Sequence, residues 1–193
     1  MRLPSEYGRA VTRTVWTLDP SDGQLFVHTG VTGRAARMGH RLTIAMNSWH
    51  ATVRWSGDEP AAVELTVDVN SLQVLRGKGG LTPLSGPEKA LARSHALNSL
   101  DAERFPQIRF RADKVEKTDD GFRLDGTLDI HGKNRQRAVD VGVEDLGDSW
   151  RVSCEAEVRQ SDFGVKPYSL LMGSVKVADI VTVRFTGSRA KDD

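Results

Sequence analysis

The chain has 193 residues, and its 27 basic and 26 acidic side chains leave a formal net charge of +1. That balance provides no basic surface for a nucleic-acid backbone, so no nucleic-acid partner is expected. We predict one domain over residues 1–193, with a core at about 14–188 and flexible ends at 1–13 and 189–193. No apolar stretch suits a signal peptide or a membrane span, which predicts a cytoplasmic protein without a transmembrane segment.

Alternation of apolar and polar residues predicts half-buried antiparallel strands along the chain. Every second residue is apolar, and the residues between are polar, at 50–55, 63–70, 122–130 and 150–159. The last strand is predicted at 176–186, with Asp179 as a polar exception on its apolar parity. Such an exception indicates either the start of the strand or a β-bulge.

Two neighbouring regions interrupt the alternation. The glycine-rich and proline-containing segment 76–86 predicts a mobile loop. After it, Pro87 suits a first helical position and is followed by strong helix formers, which predicts a helix ending near Asn98. Leu91 and Leu97 are too few for a broad apolar face, so we expect this helix at a barrel mouth and outside the core.

The order of these elements favours an all-β protein, because strands dominate and no alternation of strands and helices would build a parallel sheet. We predict a closed antiparallel lipocalin-like β-barrel of about eight strands, with one short helix inserted in a long loop. Such a barrel has room for one ligand, whereas a sandwich would fill its interior with side chains.

Three segments carry a resemblance to a known family. They are Phe-Pro-Gln-Ile-Arg-Phe at 105–110, Leu-Asp-Gly-Thr-Leu-Asp-Ile-His-Gly at 124–132 and Ser-Asp-Phe-Gly at 161–164. With Trp-Thr-Leu-Asp-Pro at 16–20, their order and spacing resemble the pattern of the YceI-like family, the polyisoprenoid-binding lipocalin-like proteins. The resemblance implies an extended barrel whose apolar cavity holds a long-chain isoprenoid or similar amphiphile.

The chain departs from the family pattern at two places. The segment 133–137 is strongly basic where the family usually has apolar residues and a proline, so we interpret it as a basic turn. Gln160 stands directly before the Ser-Asp-Phe-Gly segment where an arginine is common, and Arg159 is one residue earlier.

Inward parity and the resemblance together predict the ligand-binding residues. His40 shares its parity with Leu42 and Ile44, so it is either a packed histidine or a hydrogen-bond donor to a ligand's polar group. The tryptophans can equally fill an ordinary core. The predicted set is Trp16, His40, Leu42, Ile44, Trp49, Trp55, Leu65, Val67, Ile108, Phe110, Leu124, Leu128 and Trp150.

Residues suited to catalysis or metal binding are sparse in the sequence. The five histidines lack close metal-ligand spacing, no Gly-x-Ser-x-Gly motif occurs, and the only cysteine, Cys154, falls on an apolar parity. We therefore predict no catalytic residue, no metal site and no cofactor.

The predicted function is binding, storage or transport of an isoprenoid lipid or isoprenoid quinone without catalysis. One alternative is an enzyme acting on an amphiphile inside the barrel, with His40 as acid or base. Another is a stress-linked interaction protein with a filled barrel. Pairing of two barrels as a homodimer is left open.

Overall fold

The structure is a computed structural model that describes residues 15–191. It contains one α-helix, α1 (Gly86–Ser99), within that range. The strands are β1 (Val15–Leu18), β2 (Gly23–Thr32), β3 (His40–Met46), β4 (Trp49–Ser56), β5 (Glu59–Asp68), β6 (Leu72–Gly79), β7 (Gln107–Thr118), β8 (Gly121–Ile130), β9 (Lys133–Asp145), β10 (Ser149–Arg159), β11 (Ser169–Leu170) and β12 (Val175–Ala190). No helix in the described part of the chain is long and apolar enough to cross a bilayer.

All strands belong to one antiparallel sheet, as the alternation predicts. Its order is β1-β4-β5-β7-β8-β9-β10-β12-β2-β3-β6, and the short β11 pairs with the start of β12. The predicted closed barrel of about eight strands is not confirmed, because eleven strands follow this path and no backbone ladder joins β1 to β6 within residues 15–191. The sheet instead curls into a half-barrel.

The helix explains how the open edge at β6 is protected. The Arg93 guanidinium of α1 donates hydrogen bonds to the carbonyl oxygens of Leu72 and Asn70, at 2.7 and 2.6 Å. An exposed strand edge invites pairing with other chains, and covering it with a helix prevents this. A short β1 and a helix beside β6 therefore take the place of a closing ladder.

Side chains from both ends of the sheet meet in the main core. Its buried members come from β1 to β6, so this cluster curls the sheet by joining strands that share no ladder. They are Leu18, Leu25, Ile44, Met46, Trp49, Val67, Leu72 and Val74. Two smaller clusters, around Phe163 and around Phe110, complete the apolar interior.

The glycine-rich segment is partly a strand, so the predicted mobile loop at 76–86 is wrong for its first residues. β6 continues to Gly79, which pairs with His40 of β3. A Cβ at Gly77 would lie 3.0 Å from the Cβ of His40. Glycine therefore permits the close approach of the two strands there. In the sequence alone, glycines that serve this purpose cannot be told from glycines that mark a loop.

The predicted helix is confirmed nearly to the residue, and its beginning has a clear cause. The Ser85 side chain accepts a hydrogen bond from the Glu88 backbone, and the Glu88 carboxylate accepts one from the Ser85 backbone at 2.7 Å. This reciprocal capping satisfies backbone donors that the first turn would leave unpaired. No residue of α1 is buried, which agrees with a place outside the core.

Asp179 marks a β-bulge. The register between β12 and β2 shifts between Val177 and Val181, so the exception lies inside the strand and not at its start. The Asp179 carboxylate accepts hydrogen bonds from the Ser161 backbone at 2.8 Å and from its hydroxyl at 2.6 Å. These bonds hold the pKa of Asp179 below its usual value and tie β12 to the 3-10 turn Gln160–Phe163.

The last strand extends past its predicted end at residue 186. β12 continues to Ala190, and the Lys191 ammonium lies 2.5 Å from the Asp145 carboxylate. The flexible end expected at 189–193 stays a prediction. The predicted flexible end at 1–13 and residues 192–193 lie outside the described residues.

Candidate functional site

An apolar cavity of about 770 Å³ occupies the concave side of the sheet. Its wall consists of alternate residues of β2 and β3, such as Val27 and Leu42, together with residues of β5, β7, β8 and β12. Helix α1 covers it through Leu91, Ala92 and Ala96. The volume falls in the range of small-molecule sites, and an apolar wall of this kind favours a hydrophobic guest. The interior is therefore open and not filled by side chains.

Many of the residues predicted to bind a ligand border this cavity. Inward parity places them on its wall because alternate residues of each strand face the concave side. They are His40, Leu42, Ile44, Leu65, Val67, Ile108, Phe110 and Leu128. Their role in ligand binding stays a prediction.

The remaining predicted residues lie elsewhere. Trp16 and Trp55 pack on each other with ring centroids 4.5 Å apart, and Trp49 packs edge-on against a phenylalanine in the main core. Leu124 is buried in the cluster around Phe110, and the Lys191 ammonium lies 4.2 Å from the ring centroid of Trp150. Inward parity cannot separate a packed position from a cavity wall, because both face the concave side of the sheet.

The predicted ligand-binding set lacks the residues of α1 that cover the cavity, although the helix is expected at a barrel mouth. Leu91 and His95 are four residues apart, so they share one face of α1, and this spacing is the signal that could have found them. The His95 ring stacks on Tyr168 with centroids 4.0 Å apart. Tyr168 and the exposed Leu170 and Leu171 also border the cavity, and no periodic pattern in the sequence marks that short segment.

His40 is anchored in the wall. Its Nε2 lies 2.8 Å from the Thr82 carbonyl oxygen, so the ring donates a proton there. Gly80 has a φ of +74°, and a Cβ at that position would lie 2.3 Å from Nε2. His40 therefore holds the segment between β6 and α1 in place through Nε2. Its Nδ1 takes no part in this contact.

Polar groups gather beside the cavity in an adjoining cleft of about 450 Å³. His95 and Tyr168 border both the cavity and the cleft, while His131 and Lys166 border the cleft alone. Imidazole, phenol and ammonium groups are hydrogen-bond donors for an oxygen-rich group. The arrangement can hold an apolar chain in the cavity and its polar end in the cleft.

Cys154 borders the cavity, and its burial raises the pKa of its thiol to about 11. The nearby Asp140 and Glu155 carboxylates add to this shift by disfavouring the thiolate. Because the thiolate is the nucleophile, we expect alkylation by iodoacetamide to increase about tenfold per pH unit through pH 9–10. Quenched time points with mass spectrometry would measure this rate.

The urea-unfolded chain is the control for this prediction. Its Cys154 should reach a constant rate above an ordinary thiol pKa of about 8.5. A folded protein whose alkylation rate becomes constant near pH 9 would contradict a buried thiol.

A family model described as the YceI-like domain matches residues 16–188. The crystal structure of BcnA from Burkholderia cenocepacia is similar at 19% identity, covering 90% of this chain and 99% of that one, with a TM-score of 0.66. A YCEI protein from Campylobacter jejuni is 13% identical, with 100% and 92% covered and a TM-score of 0.52. These two likenesses show a shared fold, and no curated protein matches the chain.

Proposed function

The chain belongs to the YceI-like family, and from this membership and its cavity we propose that it binds an isoprenoid lipid or isoprenoid quinone without chemical turnover. The observation that carries the proposal is the open apolar cavity of about 770 Å³. The alternative of an interaction protein with a filled interior is less favoured because the interior is open.

The wall of the cavity explains what such a ligand gains. Each methylene removed from water contributes about 0.8 kcal/mol, so affinity increases with the length of chain that the cavity buries. Side chains such as Val183, Leu128 and Ile130 offer contact without directional hydrogen bonds. An apolar chain therefore needs few specific contacts inside.

The polar end of the ligand has a separate place in this proposal. The cleft formed by His95, Tyr168, Lys166 and their neighbours opens beside the cavity, so donors there can bind an oxygen of a quinone ring or headgroup. A few placed polar groups of this kind orient a ligand in a mainly apolar site. We assign the ligand's apolar chain to the cavity and its polar end to the cleft.

Displacement of cis-parinaric acid, a linear fluorescent fatty acid, tests the proposal. Farnesol and geranylgeraniol carry the same alcohol and differ by one isoprene unit, so we expect geranylgeraniol to displace the probe at least about tenfold more tightly. Equal potency of the two alcohols, or no probe binding by the full chain, would show that the cavity does not bind isoprenoid chains.

A further inference from the structure

Strands β9 and β10 are paired over only part of their length. Their ladder extends from Trp150 opposite Asp145 to Cys154 opposite Val141. Beyond this point β9 stays paired with β8 and β10 stays paired with β12. Among the described residues, the ladder between the two strands therefore includes neither 133–140 of β9 nor 155–159 of β10. We call this interruption of the sheet the β9–β10 gap.

The cavity passes into this gap. In β2 and β3 only alternate residues border the cavity, as expected for strands that turn one face inward. In β9 and β10, by contrast, the consecutive residues 137–140 and 154–158 all border it. Consecutive residues also border the cavity at 175–177, but these stand at the beginning of β12, where a cavity can pass around the end of a strand. Residues 137–140 lie inside β9, and neighbouring residues of a strand point to opposite faces, so the cavity reaches both faces there by passing between the strands.

Side chains around the gap suit the passage of an apolar chain. Ala138, Val139 and Ala156 border the opening with small or apolar groups. Two of the three acidic groups at its rim are held toward neighbouring strands, because Asp140 pairs with an arginine of β8 at 3.2 Å and Glu155 with one of β12 at 2.5 Å; the third is Glu157.

One ion pair bridges the wide end of the gap. The Arg137 guanidinium of β9 lies 2.6 Å from the Asp162 carboxylate, in the 3-10 turn that follows β10. Both side chains are about one-third exposed, at 30% and 36%, so water weakens their attraction. This ion pair can break without loss of any backbone ladder.

The helix side of the cavity is held more firmly. Arg93 fastens α1 to the sheet with two hydrogen bonds to backbone carbonyls, and the His95 ring stacks on Tyr168. Hydrogen bonds from a charged donor are stronger than neutral ones. Displacing α1 would break all of these contacts, whereas widening the gap separates Arg137 from Asp162 and from the Phe163 ring in the same turn.

We propose that the β9–β10 gap is a lateral portal through which the linear apolar chain of a lipid enters and leaves the cavity, with the Arg137–Asp162 ion pair as its latch. This inference rests on the proposed binding function and adds the route by which the ligand reaches the cavity. A chain that enters between strands needs no movement of α1.

Stopped-flow fluorescence of cis-parinaric acid with the full chain measures both rates of exchange. Ala156→Trp places an indole in the gap, and Ala92→Trp places the same bulk under α1 as a matched control. We expect Ala156→Trp to slow association and dissociation by the same factor, at least about tenfold, because a blocked route changes rates and not equilibrium. Ala92→Trp should change the dissociation constant without slowing both rates equally.

A second variant tests the latch. Asp162→Asn keeps the size of the side chain but removes its charge, so both rates should increase about twofold to fivefold. This test holds even where Ala156→Trp does not fold. Unchanged rates in Asp162→Asn, or equal slowing by Ala92→Trp and not by Ala156→Trp, would overturn the portal while leaving the binding function intact. Absence of probe binding by the wild-type chain would overturn both.

Discussion

Replacing Phe163 with alanine should lower the free energy of unfolding by about 3–5 kcal/mol. The Phe163 side chain is fully buried, at 0% exposure, among Ile130, Val158 and Val165. The Arg137 guanidinium also lies 5.7 Å from its ring centroid. Truncation removes all of these contacts and enlarges the adjoining cavity, so the cluster that closes this part of the half-barrel loses its centre.

Urea denaturation followed by circular dichroism measures this loss. A melting temperature lower by about 6–20 °C is the matching thermal result. Phe26→Ala is the control, because it makes the same phenylalanine-to-alanine change at a half-buried position. Phe26 lies on the face of β2 that is turned away from the cavity. We expect it to cost about 1 kcal/mol or less. Equal losses in the two variants would contradict a central packing role for Phe163.

Filling the cavity should abolish binding without unfolding the protein. Val183 lies on the cavity wall and contacts both the main core and the cluster around Phe163. Val183→Trp places an indole in the space that the ligand's chain would occupy. We expect the dissociation constant for cis-parinaric acid to increase at least about a hundredfold, since several methylenes lose their place in the cavity.

Thr182→Trp is the matched control, because Thr182 is the neighbouring residue on the other face of the same strand. It should bind the probe as the wild type does. Overpacking typically costs about 1–3 kcal/mol, so a circular dichroism melt must accompany both variants. Val183→Trp protein that remains folded and binds normally would place the ligand outside this cavity.

The sequence predicts the strands well because each has a clear physical signature. Val181, Val183 and Phe185 alternate with polar residues, and all three border the cavity. The helix is equally predictable, since Pro87 and the residues after it match the requirements of a first turn.

Features that depend on distant strands could not be predicted. Alternation shows which face of a strand is buried but not whether β1 meets β6, so it does not separate the predicted closed barrel from the open half-barrel observed. The β9–β10 gap is hidden as well, because β10 alternates regularly while residues 133–137 of β9 include no apolar residue that would show a face. The sequence predicts a basic turn at 133–137, yet Arg137 lies in β9 and pairs with Asp162.

The candidate site was predictable only in part. Leu42, Leu65 and Leu128 were found because parity identifies a wall residue when the space before it is open. Trp16 and Trp150 share that parity, but neighbouring side chains fill the space beside them. Whether space is open depends on packing among residues far apart in the chain, which alternation within one strand does not contain.

Native mass spectrometry of the full chain purified from its own cells, followed by organic extraction, tests the central claim most directly. The account predicts one long-chain apolar molecule per protein, retained by Thr182→Trp and absent from Val183→Trp. Repeated preparations without any bound lipid, together with an experimental structure whose interior is filled by side chains, would contradict it.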